Sequence, residues 1–147
     1  MSIKNKYIIK KSQYDAVVFD LDGVITQTQK IHAKAWKKVF DDFLKHRAKG
    51  DDFKPFDISK DYLRYADGKP RNEGIKSFLA SRDIELPQRR SANATDTDSI
   101  DSLGNNKNRF FLEFLSEGIE IYKSSVKLLL KLNNFGFATA VVYSIKK

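Results

Sequence analysis

The chain has 147 residues, 41% of them hydrophobic, with 27 Lys and Arg against 19 Asp and Glu and no cysteine. That length supports one compact core or a small core with an inserted second unit, and the missing thiols exclude disulfides and thiolate metal sites. No apolar run approaches a membrane span or a secretory signal, which points to the cytoplasm; the net charge of +8 suits an anionic small ligand, and its even spread makes neither a membrane nor a nucleic acid the expected partner.

A basic lead-in (Lys4, Lys6, Lys10, Lys11) precedes a first strand near 14–19. The apolar run Ala16-Val17-Val18-Phe19 reads as a buried strand ending in Asp20 and Asp22, one residue apart, and then Gly23. In open α/β sheets, ligands bind beyond the carboxyl ends of strands, so the pattern delivers two carboxylates where chemistry is done. Alternation along an extended backbone would send both to one side, where a hard cation such as Mg²⁺ would relieve their repulsion. Asp-x-Asp-Gly is also a common polar turn, and the four residues alone leave both readings open.

A helix follows at about 29–47, with Ile31, Ala35, Trp36, Val39, Phe40, Phe43 and Leu44 on one apolar face, so Trp36 is expected in packing rather than at a ligand. The chain is polar and broken from Gly50 to Pro55. Further helical regions are expected at about 59–66 and 71–82, the latter with Ile75, Phe78 and Leu79 on one face. Residues 87–102 lack apolar periodicity and read as a long exposed loop. Helices at about 105–117 and 124–134 then lead through Asn134-Phe135-Gly136 into a strand over 137–142. Two strands separated by mostly helical chain do not fit a simple strand–helix–strand unit, and an insertion accounts for the difference.

The segment Val17-Val18-Phe19-Asp20-Leu21-Asp22-Gly23-Val24-Ile25-Thr26, with Thr28, His32, Ala35 and Trp36 after it, resembles the first motif of the haloacid dehalogenase superfamily, in its β-phosphoglucomutase-like branch. The resemblance implies an α/β fold: an incomplete Rossmannoid core, its first two strands only, with an inserted α-helical cap. The core would span 1–28 and resume at 119–147, and the cap would span 29–118. Asp67-Gly68-Lys69-Pro70-Arg71 resembles the branch's substrate-specificity segment, and Leu103-Gly104-Asn105-Asn106-Lys107-Asn108 the opening of a later cap helix. By resemblance, Gly68, Arg71 and Lys107 bind substrate. His32 and Thr28 join them, and His32 steadies the loop carrying Asp22. Asp20 would be the nucleophile, forming an aspartyl-phosphate, and Asp22 the general acid/base. Mg²⁺ would be held by Asp20 and the Asp22 backbone carbonyl, and the substrate would be a sugar phosphate.

Some positions depart from the pattern. Gln27 stands where relatives carry an acidic residue, and Lys123-Ser124 where they tend to have Pro-Gly. Aligning Lys146 with a motif lysine puts Tyr143 on a phosphate-binding serine, with Ser144 one residue later. The resemblance stops before a third-motif lysine and a late acidic pair, so a truncated enzyme is expected, with a separately encoded C-terminal half as its partner. The alternative is a catalytically inactive remnant or a helical interaction module.

Overall fold

The computed structural model describes residues 8–48, 52–89 and 99–143. Lys4, Lys6, Gly50, Ser144, Lys146 and residues 90–98 of the expected loop lie outside the described residues. The chain forms two compact units, one built from the chain up to Thr28 and from Ile119 onward, the other from Gln29–Gly118.

In the first unit, β1 (Ala16–Asp20) and β2 (Ala138–Val142) pair in parallel, in register from Ala16 opposite Ala138 to Asp20 opposite Val142. The helix preceding β2, α5 (Lys123–Asn134), contributes Leu132 and Leu129 to a small core with Phe19, Val17, Ile25 and Phe137. Gly136, at φ +79°, makes the left-handed turn from α5 into β2, its amide donating to the Asn133 carbonyl at 2.8 Å; glycine adopts this conformation without a Cβ penalty. Parallel strands are expected to be covered on both faces. Here Val18 is 59% exposed while its neighbour Phe19 is buried, which corrects the expectation of a fully buried first strand. The apolar run is continuous because the strand type favours it, although the described residues bury one face.

The second unit is helical: α1 (Thr28–Arg47, its first residue belonging to the other unit), α2 (Ile58–Ala66), α3 (Arg71–Ala80) and α4 (Ile100–Ser116). The apolar face of α1 buries as its spacing predicts, with Trp36, Val39, Phe40 and Phe43 inside. Phe40 is the centre of an aromatic cluster, 4.2 Å from Phe78, 5.1 Å from Phe56 and 5.2 Å from Trp36 between ring centroids. Phe56 comes from an irregular segment, yet Asp41 accepts its amide at 2.7 Å and Lys37 donates to its carbonyl at 2.9 Å, so α1 holds it in the core.

Two elements differ from expectation. The α2 segment is wound as a π-helix, with i→i+5 bonds from the Tyr62 amide to Asp57 and from the Asp67 amide to Tyr62. The Asp57 side chain caps it, accepting from the Ser59 and Lys60 amides, and its bonds to Ser59 hold the carboxyl below its ordinary pKa. Helix α4 begins at Ile100, several residues earlier than periodicity indicates, and Ser99 to Ser102 belong to its capped start rather than to an exposed loop. Ser99 accepts the Ser102 amide at 3.1 Å, and Ile100 and Leu103 are fully buried. Among the described residues no helix is long and apolar enough to cross a membrane.

Because Phe78 is buried among three aromatic rings, Phe78→Ala should cost about 3–5 kcal/mol. Urea denaturation followed by near-ultraviolet circular dichroism should show the aromatic signal lost at a much lower midpoint, and an unchanged midpoint would remove the cluster from the core's energetics.

Candidate active site

Asp20 is the last residue of β1, and the chain leaves the ladder immediately after it. Leu21 still donates its amide to the Val142 carbonyl at 2.9 Å, while its own carbonyl accepts the amides of Ile25 and Thr26 and the Thr26 hydroxyl at about the same distance. This closes the turn at 21–26. Gly23 sits in it at φ +77°, donating to the Thr26 carbonyl at 2.8 Å; nothing would touch a Cβ there, so the left-handed backbone is what calls for glycine. The turn therefore places Asp22, not the strand alternation expected from sequence. The Thr28 hydroxyl, at the start of α1, donates to Asp22 Oδ1 at 2.8 Å, so Thr28 orients the carboxylate.

Both carboxylates are exposed, and among the described residues no side chain donates to that of Asp20. The donor set is oxygen only: two carboxylates and the Asp22 carbonyl. It fits a hard divalent ion that keeps several waters, although among the described residues no third acidic, His or Cys side chain joins it. The departure at Gln27 has a structural use. Its side-chain amide donates to the Ile121 carbonyl at 3.2 Å, which a carboxylate could not do, and its backbone amide donates to Glu120 at 2.8 Å. Tyr122 returns a bond to Ile25 at 2.8 Å. Tyr143, exposed, follows β2 directly.

The remaining candidates, Gly68, Arg71, Lys107 and His32, lie in the helical unit. Gly68 occupies the turn after α2 at φ +68°, a position that favours glycine. Lys69 ties the same turn to α3 through the Ser77 hydroxyl at 2.8 Å. Arg71 opens α3 behind Pro70. Lys107 is buried: its Nζ lies 2.8 Å from His32 Nδ1 and over the rings of Phe111 and Trp36, at 5.0 and 5.4 Å from their centroids. The His32 ring stacks on Phe111 at 4.2 Å. Burial, and then the positive charge of Arg71, push the Lys107 amine down to about 8. A buried lysine beside a second cation carries charge that neither side chain offsets for the other, so the pair disfavours its own ionisation.

The sequence singles these residues out as candidates but does not show how they are joined. The pairing of His32 with Lys107 has no sequence signal, because they are far apart in the chain. The role of Asp101, which accepts from Asn72 at 3.3 Å and Gln88 at 2.7 Å, was hidden in the segment read as loop.

The sequence model described as haloacid dehalogenase-like hydrolase matches residues 14–144. β-Phosphoglucomutases of Mycobacterium tuberculosis and Mycobacterium bovis are each 41% identical over 132 residues, covering 88% of this chain and 50% of theirs. The chain thus spans about half the length of the curated relatives it matches. A crystal structure of a HAD family hydrolase from Deinococcus radiodurans, with bound phosphate and sodium, aligns with a TM-score of 0.57 at 23% identity, over 90% of this chain and 48% of that one. A structure of CbbY from Rhodobacter sphaeroides, in complex with phosphate, aligns at 0.51 and 21% identity over 90% and 52%. Both structures share the fold of this chain.

The buried amine sets a pH dependence. An unfolded lysine keeps its proton to about 10.5, so below about 8 both states are charged and the folded unit bears the full cost of burial. Between those values the unfolded state binds more protons, and stability rises with pH by something of the order of 3 kcal/mol. Tyr62, whose phenol burial holds up, adds protons to the folded state and opposes this rise above pH 10. The comparison with Lys107→Met isolates the lysine: denaturation midpoints at pH 7.5, 9 and 10.5 should climb more steeply in the parent than in the variant.

Proposed function

This chain belongs to the haloacid dehalogenase-like hydrolase family, and from that premise we propose that it carries the nucleophile-bearing portion of a cytoplasmic, Mg²⁺-dependent phosphotransferase or phosphatase acting on sugar phosphates. The observation that carries the reading is Asp20 at the carboxyl end of a parallel strand, with Asp22 fixed beside it by the Gly23 turn and the Thr28 hydroxyl.

The Asp20 carboxylate attacks phosphorus, forming an acyl-phosphate bond as the bond to the sugar oxygen breaks. Asp22 gives that oxygen its proton, and then takes one from the acceptor, water or a second sugar hydroxyl, as the phosphoryl group leaves Asp20. The Thr28 hydrogen bond holds Asp22 in one rotamer for both proton transfers. Asp20 and the Asp22 carbonyl would hold Mg²⁺, which when bound neutralises charge on the phosphoryl oxygens. Arg71 and Lys107 would bind an anionic group of the substrate, Arg71 as a planar fork and Lys107 as a desolvated point charge. The identity to β-phosphoglucomutases supports a sugar phosphate.

One observation favours a second reading, a non-catalytic helical interaction module: Tyr143 follows β2 where the resemblance asks for a phosphate-binding serine.

The test joins residues 1–142 to the second half of the Mycobacterium tuberculosis relative and assays β-glucose 1-phosphate with glucose 1,6-bisphosphate and Mg²⁺. Asp20→Asn should lower turnover by at least ~1000-fold, because an amide is a far weaker nucleophile and a poorer metal ligand. Arg71→Ala should raise KM for sugar phosphates by roughly tenfold or more and leave that for acetyl phosphate little changed. Turnover that survives Asp20→Asn would exclude the assignment, and turnover absent from the parent chimaera would favour the interaction module.

A further inference from the structure

Gly104 lies in the second turn of α4, buried and without the positive φ that would call for glycine. A glycine inside a helix costs about 1 kcal/mol relative to alanine, so its presence there asks for a steric reason. The reason is on α3. A Cβ at Gly104 would stand 3.1 Å from Arg71 Nε, 3.4 Å from Arg71 Cδ and 3.3 Å from Asn72 Oδ1. Asn72 is not free to give way, because its amide donates to Asp101 at 3.3 Å, and Asp101 also accepts from Gln88 at 2.7 Å. An added methyl group would push on Arg71.

We propose that Gly104 is a positioning residue for substrate recognition: by presenting bare backbone it lets the Arg71 side chain lie across the start of α4, one turn before Lys107, so that two cations serve one anion. This rests on the reading of Arg71 and Lys107 as the anion site. The electrostatics agree with the geometry, since the Arg71 charge contributes to the lowered proton affinity of Lys107. Sequence spacing supports it as well: Gly104 and Lys107 are three apart on a helix and share a face.

The test uses the full 147-residue chain, with glucose 6-phosphate and inorganic phosphate as probes in calorimetric titrations at pH 7. Arg71→Ala should weaken binding by about tenfold, the loss of one charge-assisted contact, and Gly104→Ala by about fivefold through displacement of the same group. The double variant should bind no more weakly than Arg71→Ala alone, because a residue acting through Arg71 has nothing left to position. Far-ultraviolet circular dichroism should show Gly104→Ala folded with the parent's helix content at the temperature of the titrations, which separates mispositioning of Arg71 from damage to the helix. A second readout needs no ligand: the Lys107 titration, followed by NMR, should move upward in Gly104→Ala and in Arg71→Ala, and no further when the two are combined. Gly104→Ala that binds and titrates like the parent while Arg71→Ala is impaired would overturn the role of Gly104 alone. Binding indifferent to Arg71→Ala would overturn the anion-site reading, and this inference with it.

Discussion

The parallel pairing of β1 with β2 is the constraint from which the rest of the first unit follows. Parallel strands cannot be joined by a turn, so chain leaving the carboxyl end of β1 must travel to the opposite end of the sheet before β2 can begin. Helix α5 makes that return, and its Leu132 and Leu129 seal the sheet face that carries Phe19. The outgoing residues 25–27 and the returning residues 120–122 are bonded to each other, through Gln27 to Glu120 and Tyr122 to Ile25. The helical insertion thus begins and ends at one bonded pair of segments. Asp20 and Asp22 stand where the ladder has just ended, and the Leu21 carbonyl holds the turn that presents them.

The helical unit is organised by a different interaction. Phe40, Phe56, Phe78 and Trp36 form its interior, and the indole extends that interior to the place where Lys107 is buried. A lysine with aromatic faces around it and a histidine nitrogen at 2.8 Å keeps contacts for its charge, none of them with a carboxylate among the described residues. Burying that charge costs the unit stability locally.

Much of this was legible in sequence, and the reasons differ by element. The buried face of α1 is spelled out at spacings of three and four, and the long apolar residues that carry the pattern are the ones that pack. Both strands are apolar runs, β1 running from beside Asp15 to Asp20 and β2 opening shortly after Asn134 and Gly136. The start of α4 was hidden because Ser99, Asp101 and Ser102, polar residues that suggest a loop, are there a helix cap with acidic charge at its amino end. The winding of α2 was hidden because an i→i+5 ladder has no composition of its own. At the site, the residue types carry the resemblance, but their long-range partners carry no signal in the sequence. Thr28 on Asp22 is a short-range bond that sequence could have suggested, whereas His32 on Lys107 and Arg71 across Gly104 depend on helices meeting in three dimensions.

A sheet of two strands has two edges, and this gives the first unit a colloidal property. β1 and β2 each pair along one side among the described residues, and Val18, Val141 and Val142 stand exposed on or beside them. Backbone donors and acceptors along a free edge accept another strand, and a second copy of this chain offers a matching one. What opposes that encounter is repulsion between chains of charge +8, which acts over about 8 Å at physiological ionic strength and over much less in concentrated salt. Salt therefore works against dispersion of the 147-residue chain: conditions chosen to quiet its charges bring strand edges that are unpaired among the described residues within reach of one another.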